Sequence, residues 1–481
     1  METPRARNNR LWLSALCALP LVGLALWTEV DPDLWGHLRF GLDTLHTLRL
    51  PSVDPYSFTQ DVPWVNHEWL HELLAALAYS ASGVAGLVIL KAALVLATLA
   101  MIGDALEGVS LPVQWGALTL VVLGAFPIMI AVRPQLWTLL FLVVECRILA
   151  QGSGFWALPF IFAVWANLHG GWALGAALLV MWTTATLFWR RENLGTRTLV
   201  PIALSAAATL LTPYGFTLWR FLASTAHGSR DVVEWVPLST TTPVLWVLWS
   251  FSTALVFVGA RYGRLSPPNL VLAGALAGGA LWITRISPLW AAASVVIAAP
   301  TLRRWAPAPE RERGLVHWGL VAAIAVVAAS LLMAILPSKR CLEVRADWAP
   351  DVAAADALRS SNPQGRLVTR YAWGEYALWT FGPRLKVSFD GRRETVYSDR
   401  MIQTALAIEA GNEDGLQTLA SWKPDYVWLT QNSARTRSWL MLHGYRLDFD
   451  GAHSYVAVRA DQPRLEVATS SAASACFPGP L

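Results

Sequence analysis

The sequence predicts an α-helical polytopic membrane protein that ends in a small water-exposed α/β domain. Three observations carry that fold class. The 481 residues are 55% hydrophobic and only 15% charged, with 26 Trp, too apolar for an ordinary soluble chain. Apolar runs long enough to cross a bilayer recur from Leu11 to about Leu336. Beyond that point composition turns polar, and short alternating segments take over from the long apolar ones. The net charge of +4 is spread over short loops, with no basic patch interleaved with aromatics, so nucleic acid is not an expected partner.

Taken in order, the first element spans 1–28. Arg5, Arg7 and Arg10 precede its apolar run, which lacks a small-x-small cleavage site before Thr28 and so reads as a first span rather than a signal peptide. Residues 29–82 form a long loop with surface helices. A bundle over 83–338 follows, and about eleven spans in all are expected, at 11–28, 83–103, 112–131, 135–150, 155–168, 172–189, 197–212, 242–260, 268–284, 286–301 and 316–336. Basic residues gather in 189–197, 260–264 and 302–313, and that span count places all three loops and the N-terminus in the cytoplasm. The expected location is a bacterial inner membrane, with loop 29–82 and the C-terminal domain outside.

The segment from His67 to about Ser82 is short, and His67, Glu68, His71 and Glu72 crowd its first turn, so it is expected to lie on the membrane surface rather than cross. Leu70, Leu73, Leu74 and Leu77 give it an apolar face.

The C-terminal domain is expected over 339–460. Strands are read at "RLVTR", "LKVSF", "DYVWLT" and "SYVAVRA", and helices near 398–410, 413–422 and 433–443. It has no Gly-rich phosphate loop and no nucleophile elbow. Asp390-Gly391-Arg392 after a strand reads as a turn in preference to a site. Residues 461–481, rich in small residues, read as a disordered tail. Of the four cysteines none has C-x-x-C spacing, while Cys341 and Cys476 flank the domain and would be available to pair in an exported protein.

His67-Glu68-Trp69-Leu70-His71 spells the H-E-x-x-H signature of zinc peptidases. A zinc site needs a third protein ligand, and no carboxylate or histidine follows Glu72 until Asp104. The zinc reading therefore ranks below two others, a polar face on an amphipathic helix and a role in binding a sugar donor.

The loop before it carries a second pattern. Asp33-Leu34-Trp35-Gly36-His37-Leu38-Arg39 resembles the D-x-x-x-H-x-R motif of oligosaccharyltransferase catalytic subunits, and Asp31 adds a D-x-D reading. His67-Glu68-Trp69-Leu70 stands where protein mannosyltransferase and aminoarabinose transferase-like proteins carry His-Pro-Pro-Leu, though both prolines are missing. "VRPQLW" resembles their Arg-containing outer turn, and "WANLHGGWALG" places His169 outside between spans. Trp373-Gly374-Glu375-Tyr376 resembles the Trp-Trp-Asp-Tyr-Gly region of oligosaccharyltransferases but departs from it, so sequon recognition is not carried over. The chain is thus similar to GT-C type membrane glycosyltransferases and to a group of bacterial polytopic proteins.

That resemblance implies a GT-C-like fold and a polyprenyl-phosphate-linked sugar donor used at the external face, with an unidentified acceptor. Asp33 is the implied general base or metal ligand, assisted by Asp31 and Glu68. A divalent ion, Mg or Mn, would sit on Asp33 and Asp31. His37, Arg39, Asp54, His67, Arg133, His169 and Arg285 are implied in substrate binding. Chemistry agrees with the residue types, since transfer from a lipid phosphate needs a carboxylate to activate the acceptor and cations to steady the leaving phosphate. The plainer readings are lipid-headgroup contacts for Arg39, Arg133 and Arg285 and a helix cap for Asp33. Alternatives by class are a transporter or flippase, the zinc peptidase, and a non-catalytic scaffold. Ionisable residues at the outer edge rather than in mid-membrane count against transport.

Overall fold

The computed structural model describes residues 21, 23–51, 53–190, 194–225, 233–263, 265–309, 341–466 and 475–479. The chain forms two compact units. One comprises Met1–Thr28, Ala85–Ala223 and Ser229–Ser338, the other Glu29–Val84, Ser224–Gly228 and Lys339–Leu481.

The first unit is helical. Among the described residues five helices are long and apolar enough to cross a membrane: Val84–Ala105, Leu111–Met129, Trp172–Trp189, Pro243–Tyr262 and Thr284–Trp305. The expected spans at 135–150, 155–168, 197–212 and 268–284 are present as shorter helices, Gln135–Gln151, Phe155–Leu168, Thr196–Ala208 and Pro267–Trp282. Gly and Pro set several of those limits: Pro134 stands before one and a left-handed Gly152 ends it. The span expected at 316–336, and most of that at 11–28, lies outside the described residues. A short helix, Phe216–Thr225, was not expected, because its apolar stretch is broken by Arg220.

The centre of this unit is the helix Ser287–Trp305, buried along nearly its whole length. Its Ala-rich sequence makes that burial feasible, since small residues let neighbouring backbones approach closely. A Cβ added at Gly124 would lie 2.4 Å from the Ala291 methyl carbon. Two ionisable groups depart from the expectation that such residues stay at the edges. Lys91 is buried in the helix Val84–Ala105 with its Nζ donating to the carbonyls of Trp27 and Met129. Glu145 is fully buried in Gln135–Gln151, and neither carboxylate oxygen has a hydrogen-bond partner.

The second unit joins the loop after the first span to the C-terminal domain, which the sequence reading had kept apart. Its five-stranded sheet has the order β3-β2-β4-β6-β5. The strands are β2 (Gly365–Thr369), β3 (Leu385–Val387), β4 (Tyr426–Thr430), β5 (Tyr445–Asp450) and β6 (Ser454–Arg459). β2 runs parallel to β3 and β4, whereas β6 is antiparallel to both β4 and β5. The predicted helices appear at Asp399–Ala410, Glu413–Trp422 and Ala434–Leu442. β5 was missed because Arg446, Asp448 and Asp450 give it polar alternation at a sheet edge.

The loop extends this sheet. Ser57 bridges Val387 in parallel, with Val387 N–H donating to the Tyr56 carbonyl at 3.0 Å and Phe58 N–H to the Val387 carbonyl at 3.1 Å. Phe58 packs on the sheet's apolar core around Val368, Val427, Leu429 and Tyr455. Residues 475–479 are also tied in, so within the tail expected to be disordered over 461–481 this described segment is ordered. β7 (Cys476–Phe477) pairs with β1 (Leu342–Glu343), and a disulfide joins Cys341 to Cys476. Their ordering comes from the aromatic anchor beneath: buried Trp35 donates its indole N–H to the Pro478 carbonyl at 2.9 Å and packs on Phe477, Trp348 and Tyr376. Residues 467–474 and 480–481 lie outside the described set.

Candidate functional site

Within the second unit the helix Leu34–Thr47 lies beside the surface helix Trp69–Ser82 and the helix Gly374–Phe381. Asp33 stands at the N-cap of the first, yet its side chain makes no cap hydrogen bond, so the plain capping role is not the one it plays. Asp31 is the residue that organises the turn, its Oδ1 accepting from Asp33 N–H at 2.9 Å.

Asp33 reaches toward the loop after β3. A Cβ added at Gly391 would lie 2.2 Å from Asp33 Oδ1 and 2.9 Å from Glu375 Oε1, which puts those two oxygens within about 5 Å of each other, the sum of the two distances. Gly36, one turn into the helix, is equally exacting: a Cβ there would fall 1.2 Å from Glu375 Oε2. Glycine is needed at both places for closeness of approach rather than for backbone angle.

Glu375 was named from sequence only within the Trp373-Gly374-Glu375-Tyr376 resemblance and was not among the expected site residues. It is 3% exposed, and its Oε2 has no hydrogen-bond partner. Burial, reinforced by the charges of Asp390 and Asp33, pushes its carboxyl well above the usual range, with Arg392 pulling the other way. Beside that resemblance, the sequence signal was an acidic residue inside the apolar run "YAWGEYALWTF".

One turn along from Asp33, the His37 ring sits between two carboxylates of the surface helix. Nδ1 lies 3.4 Å from Glu72 Oε1 and Nε2 3.9 Å from Glu68 Oε2. Burial opposes its charge, but the Glu72 hydrogen bond and the charges of Glu68, Glu72 and Asp33 outweigh burial and push its pKa up to about 9. His37 is therefore an imidazolium at neutral pH. Asn66 fixes the other Glu72 oxygen at 2.6 Å.

The remaining loop residues are held elsewhere. Arg39 pairs with Asp43 at 2.9 Å, and Tyr56 donates to the same carboxylate at 2.7 Å. Asp54 turns inward, 2.8 Å from Arg392 Nη1. Arg392 also meets Asp390 at 2.7 Å and lies over the rings of Phe40, Tyr56 and Trp64. Asp390-Gly391-Arg392 is thus more than the expected turn: Asp390 and Arg392 lock the loop to the sheet, while Gly391 makes room for Asp33.

The zinc spelling does not become a zinc geometry. The helix begins at Trp69 with Glu68 at its N-cap, so His67 lies outside it and the two histidines do not share one helical face. His67 Nε2 is 3.6 Å from Glu68, and the His71 ring meets that of His37 edge-on at 5.6 Å. Asp31 Oδ1 is taken by the Asp33 amide, and among the described residues no three His, Cys, Asp or Glu are placed to hold one metal ion.

The other expected residues belong to the first unit. Arg133 Nη1 is 3.0 Å from Glu234 Oε1, and Arg285 Nη1 is 3.7 Å from Glu234 Oε2, so one carboxylate gathers both arginines. His169 Nδ1 accepts from Gly171 N–H at 3.1 Å and lies 2.7 Å from Thr138 Oγ1, which itself accepts the Trp165 indole N–H at 2.9 Å. The Thr138 hydroxyl therefore donates to Nδ1, leaving the neutral ring's proton on Nε2.

No protein-family model matches the chain, and no curated protein sequence matches it. Solved structures do. The crystal structure of ArnT from Cupriavidus metallidurans bound to undecaprenyl phosphate aligns with a TM-score of 0.52 at 12% identity, over 92% of this chain and 97% of that one. The chain has a GT-C-type fold. The arabinofuranosyltransferase AftD from Mycobacteria aligns with a TM-score of 0.47 at 16% identity, over 94% of this chain and 40% of AftD. With its apolar helices, the GT-C-type chain is a multi-pass membrane protein.

Proposed function

We propose that the chain is a membrane glycosyltransferase that moves a sugar from a polyprenyl-phosphate-linked donor to an acceptor hydroxyl on the external face. The observation that carries this reading is Asp33. Asp33 stands at the head of the loop helix, its side chain making no cap hydrogen bond and directed at Gly391 and Glu375. The GT-C-type fold is also the fold of a protein solved with undecaprenyl phosphate.

In the proposed step the acceptor oxygen attacks the anomeric carbon and the new C–O bond forms. The bond from that carbon to the phosphate oxygen breaks, and its electron pair leaves with the phosphate. The acceptor proton passes to the Asp33 carboxylate. Glu375, holding its proton above the ordinary carboxylate range, keeps a second negative charge from crowding the base. His37 balances Glu68 and Glu72 beside it. Within the first unit, Arg133 and Arg285 carry planar guanidinium donors of the kind that bind phosphate oxygens. No step passes through a metal. The Cys341–Cys476 disulfide supports an oxidising, external setting for the second unit.

Asp33→Asn in the purified full-length protein tests the reading. Given undecaprenyl-phosphate-linked hexoses and pentoses radiolabelled in the sugar, the variant should insert and fold yet release or transfer label about 10² to 10⁴ times more slowly. Near-parental turnover would show that Asp33 is not the base. For the external face, a reporter fused after Arg345 should be active only outside the cytoplasm, and one at Glu192 only inside. The reverse at either point overturns the orientation.

A further inference from the structure

The two carboxylates of the proposed site are carried by backbones that one aromatic cluster holds together. Trp35 follows Asp33 by two positions, and Tyr376 follows Glu375 by one. Their rings meet edge-on at 5.3 Å, and Trp348 and Phe477 complete the cluster around Trp35 at 5.9 and 5.4 Å. Trp35 and Phe477 are fully buried. Aromatic contacts of this kind are directional, so they set a spacing as well as excluding water. The Trp35 indole adds a fixed direction, because the acceptor of its N–H is the Pro478 carbonyl at 2.9 Å.

That acceptor belongs to a segment with a very short ladder. Residues 475–479 are registered by the pairs Leu342 with Phe477 and Glu343 with Cys476, and by the Val344 N–H donating to the Ala475 carbonyl at 3.2 Å. So short a ladder weighs little against the conformational freedom of the segment. The Cys341–Cys476 bridge, across 135 positions, removes much of that freedom, and both cysteines are partly exposed, within reach of a thiol. We propose that the disulfide and Trp35 together form a positioning device: the bridge holds Phe477 and Pro478 against Trp35, and Trp35 sets the spacing of Asp33 from Glu375, so that reduction slows sugar transfer. Two thiol groups of the reductant supply the two electrons and two protons that turn the bridge into two Cys thiols, and are themselves joined in a disulfide. This rests on the glycosyltransferase reading.

The test uses full-length protein in nanodiscs with dithiothreitol, and reads the helix and the reaction separately. After reduction, amide hydrogen exchange should accelerate about fivefold or more in Leu34–Thr47 while Glu413–Trp422, in the same unit, is unchanged. With undecaprenyl-phosphate-linked sugar, kcat should fall about tenfold and the donor KM should change less than about twofold, because orientation rather than donor contact is lost. Cys476→Ser should match the reduced parent and no longer respond to reductant. Trp35→Phe, which keeps a ring but removes the N–H, should lower kcat with the bridge intact. Unchanged exchange in Leu34–Thr47 overturns the proposal, and so does equal acceleration in Glu413–Trp422, which would make the bridge a staple for the whole unit. Unchanged kcat on reduction overturns it as well. If the parent transfers no sugar from any donor offered, the glycosyltransferase reading fails, and the exchange result still decides whether the bridge holds the helix.

Discussion

The two units hold their charges in opposite ways. In the loop-and-sheet unit, Arg392 is clamped between Asp54 and Asp390 under three aromatic rings, almost sealed from water. In the membrane unit, Arg133 and Arg285 share a Glu234 that is nearly half exposed. The same chemical pairing serves different ends. A buried pair cannot be broken without stranding a charge in low dielectric, so it fixes geometry. An exposed pair costs little to open, so its carboxylate can yield to a ligand. The contrast separates a sealed clamp that fixes the Asp390–Arg392 loop from an exposed cluster that solvent can reach.

The largest expected effect comes from breaking the sealed pair. Arg392→Leu keeps bulk but leaves Asp54 and Asp390 buried without their cation, and should cost about 3–5 kcal/mol. The denaturation midpoint of the purified protein measures it. A loss below about 1 kcal/mol would mean that the clamp is no more structural than the exposed trio.

Next is Gly36→Ala. The added methyl would collide with the Glu375 carboxylate, on a helix whose backbone is otherwise well suited to alanine. Overpacking of this kind costs about 1–3 kcal/mol. Turnover should fall together with stability, since Glu375 can move only by leaving Gly391 and Asp33. A variant more stable than the parent, as helix propensity alone would predict, refutes the close approach.

The pH dependence follows from His37. Its folded pKa, about 9, stands above the ordinary value of 6.5, so the stability it contributes is complete below about pH 6.5 and is lost as pH rises through about 9. The loss should be at most on the order of 3 kcal/mol, because the rise from 6.5 to about 9 is already net of burial and each tenfold gain in proton affinity is worth about 1.4 kcal/mol. Melting temperatures between pH 6 and 10 read this directly. Glu72→Gln should flatten the curve, and an equally steep curve in that variant would assign the titration to another group.

How much of this could be read from sequence differs by feature. The strands at Tyr426–Thr430 and Ser454–Arg459 and the helix Glu413–Trp422 lie where local periodicity put them, because alternation and helical spacing are written in neighbouring residues. The pairing of Ser57 with Val387 is not written locally, since it joins segments more than 300 positions apart. The Asp33–Glu375 juxtaposition is hidden for the same reason. Its two glycines look like loop and helix filler until the opposite carboxylate is in place. Arg133 and Arg285 stood out as cations at apolar edges, but Glu234, one acid in an unremarkable loop, did not. Polar groups that stand out against lipid are legible one at a time, whereas polar groups assembled by tertiary contact are not.

The smallest expected effect lies at the exposed trio. Glu234→Gln removes one partly exposed charge from between two arginines, so it should change stability by no more than about 1 kcal/mol. Its sign is informative. If Glu234 mainly relieves repulsion between Arg133 and Arg285, the variant is slightly destabilised, and added salt shrinks the difference, because screening at about 1 M salt acts over roughly 3 Å. Melting of parent and variant at low and high salt measures this, with Arg392→Leu as the buried reference. The Arg392→Leu loss should persist in salt while the Glu234→Gln loss fades. Equal salt sensitivity in the two variants would erase the distinction between a sealed pair and a solvent-open one.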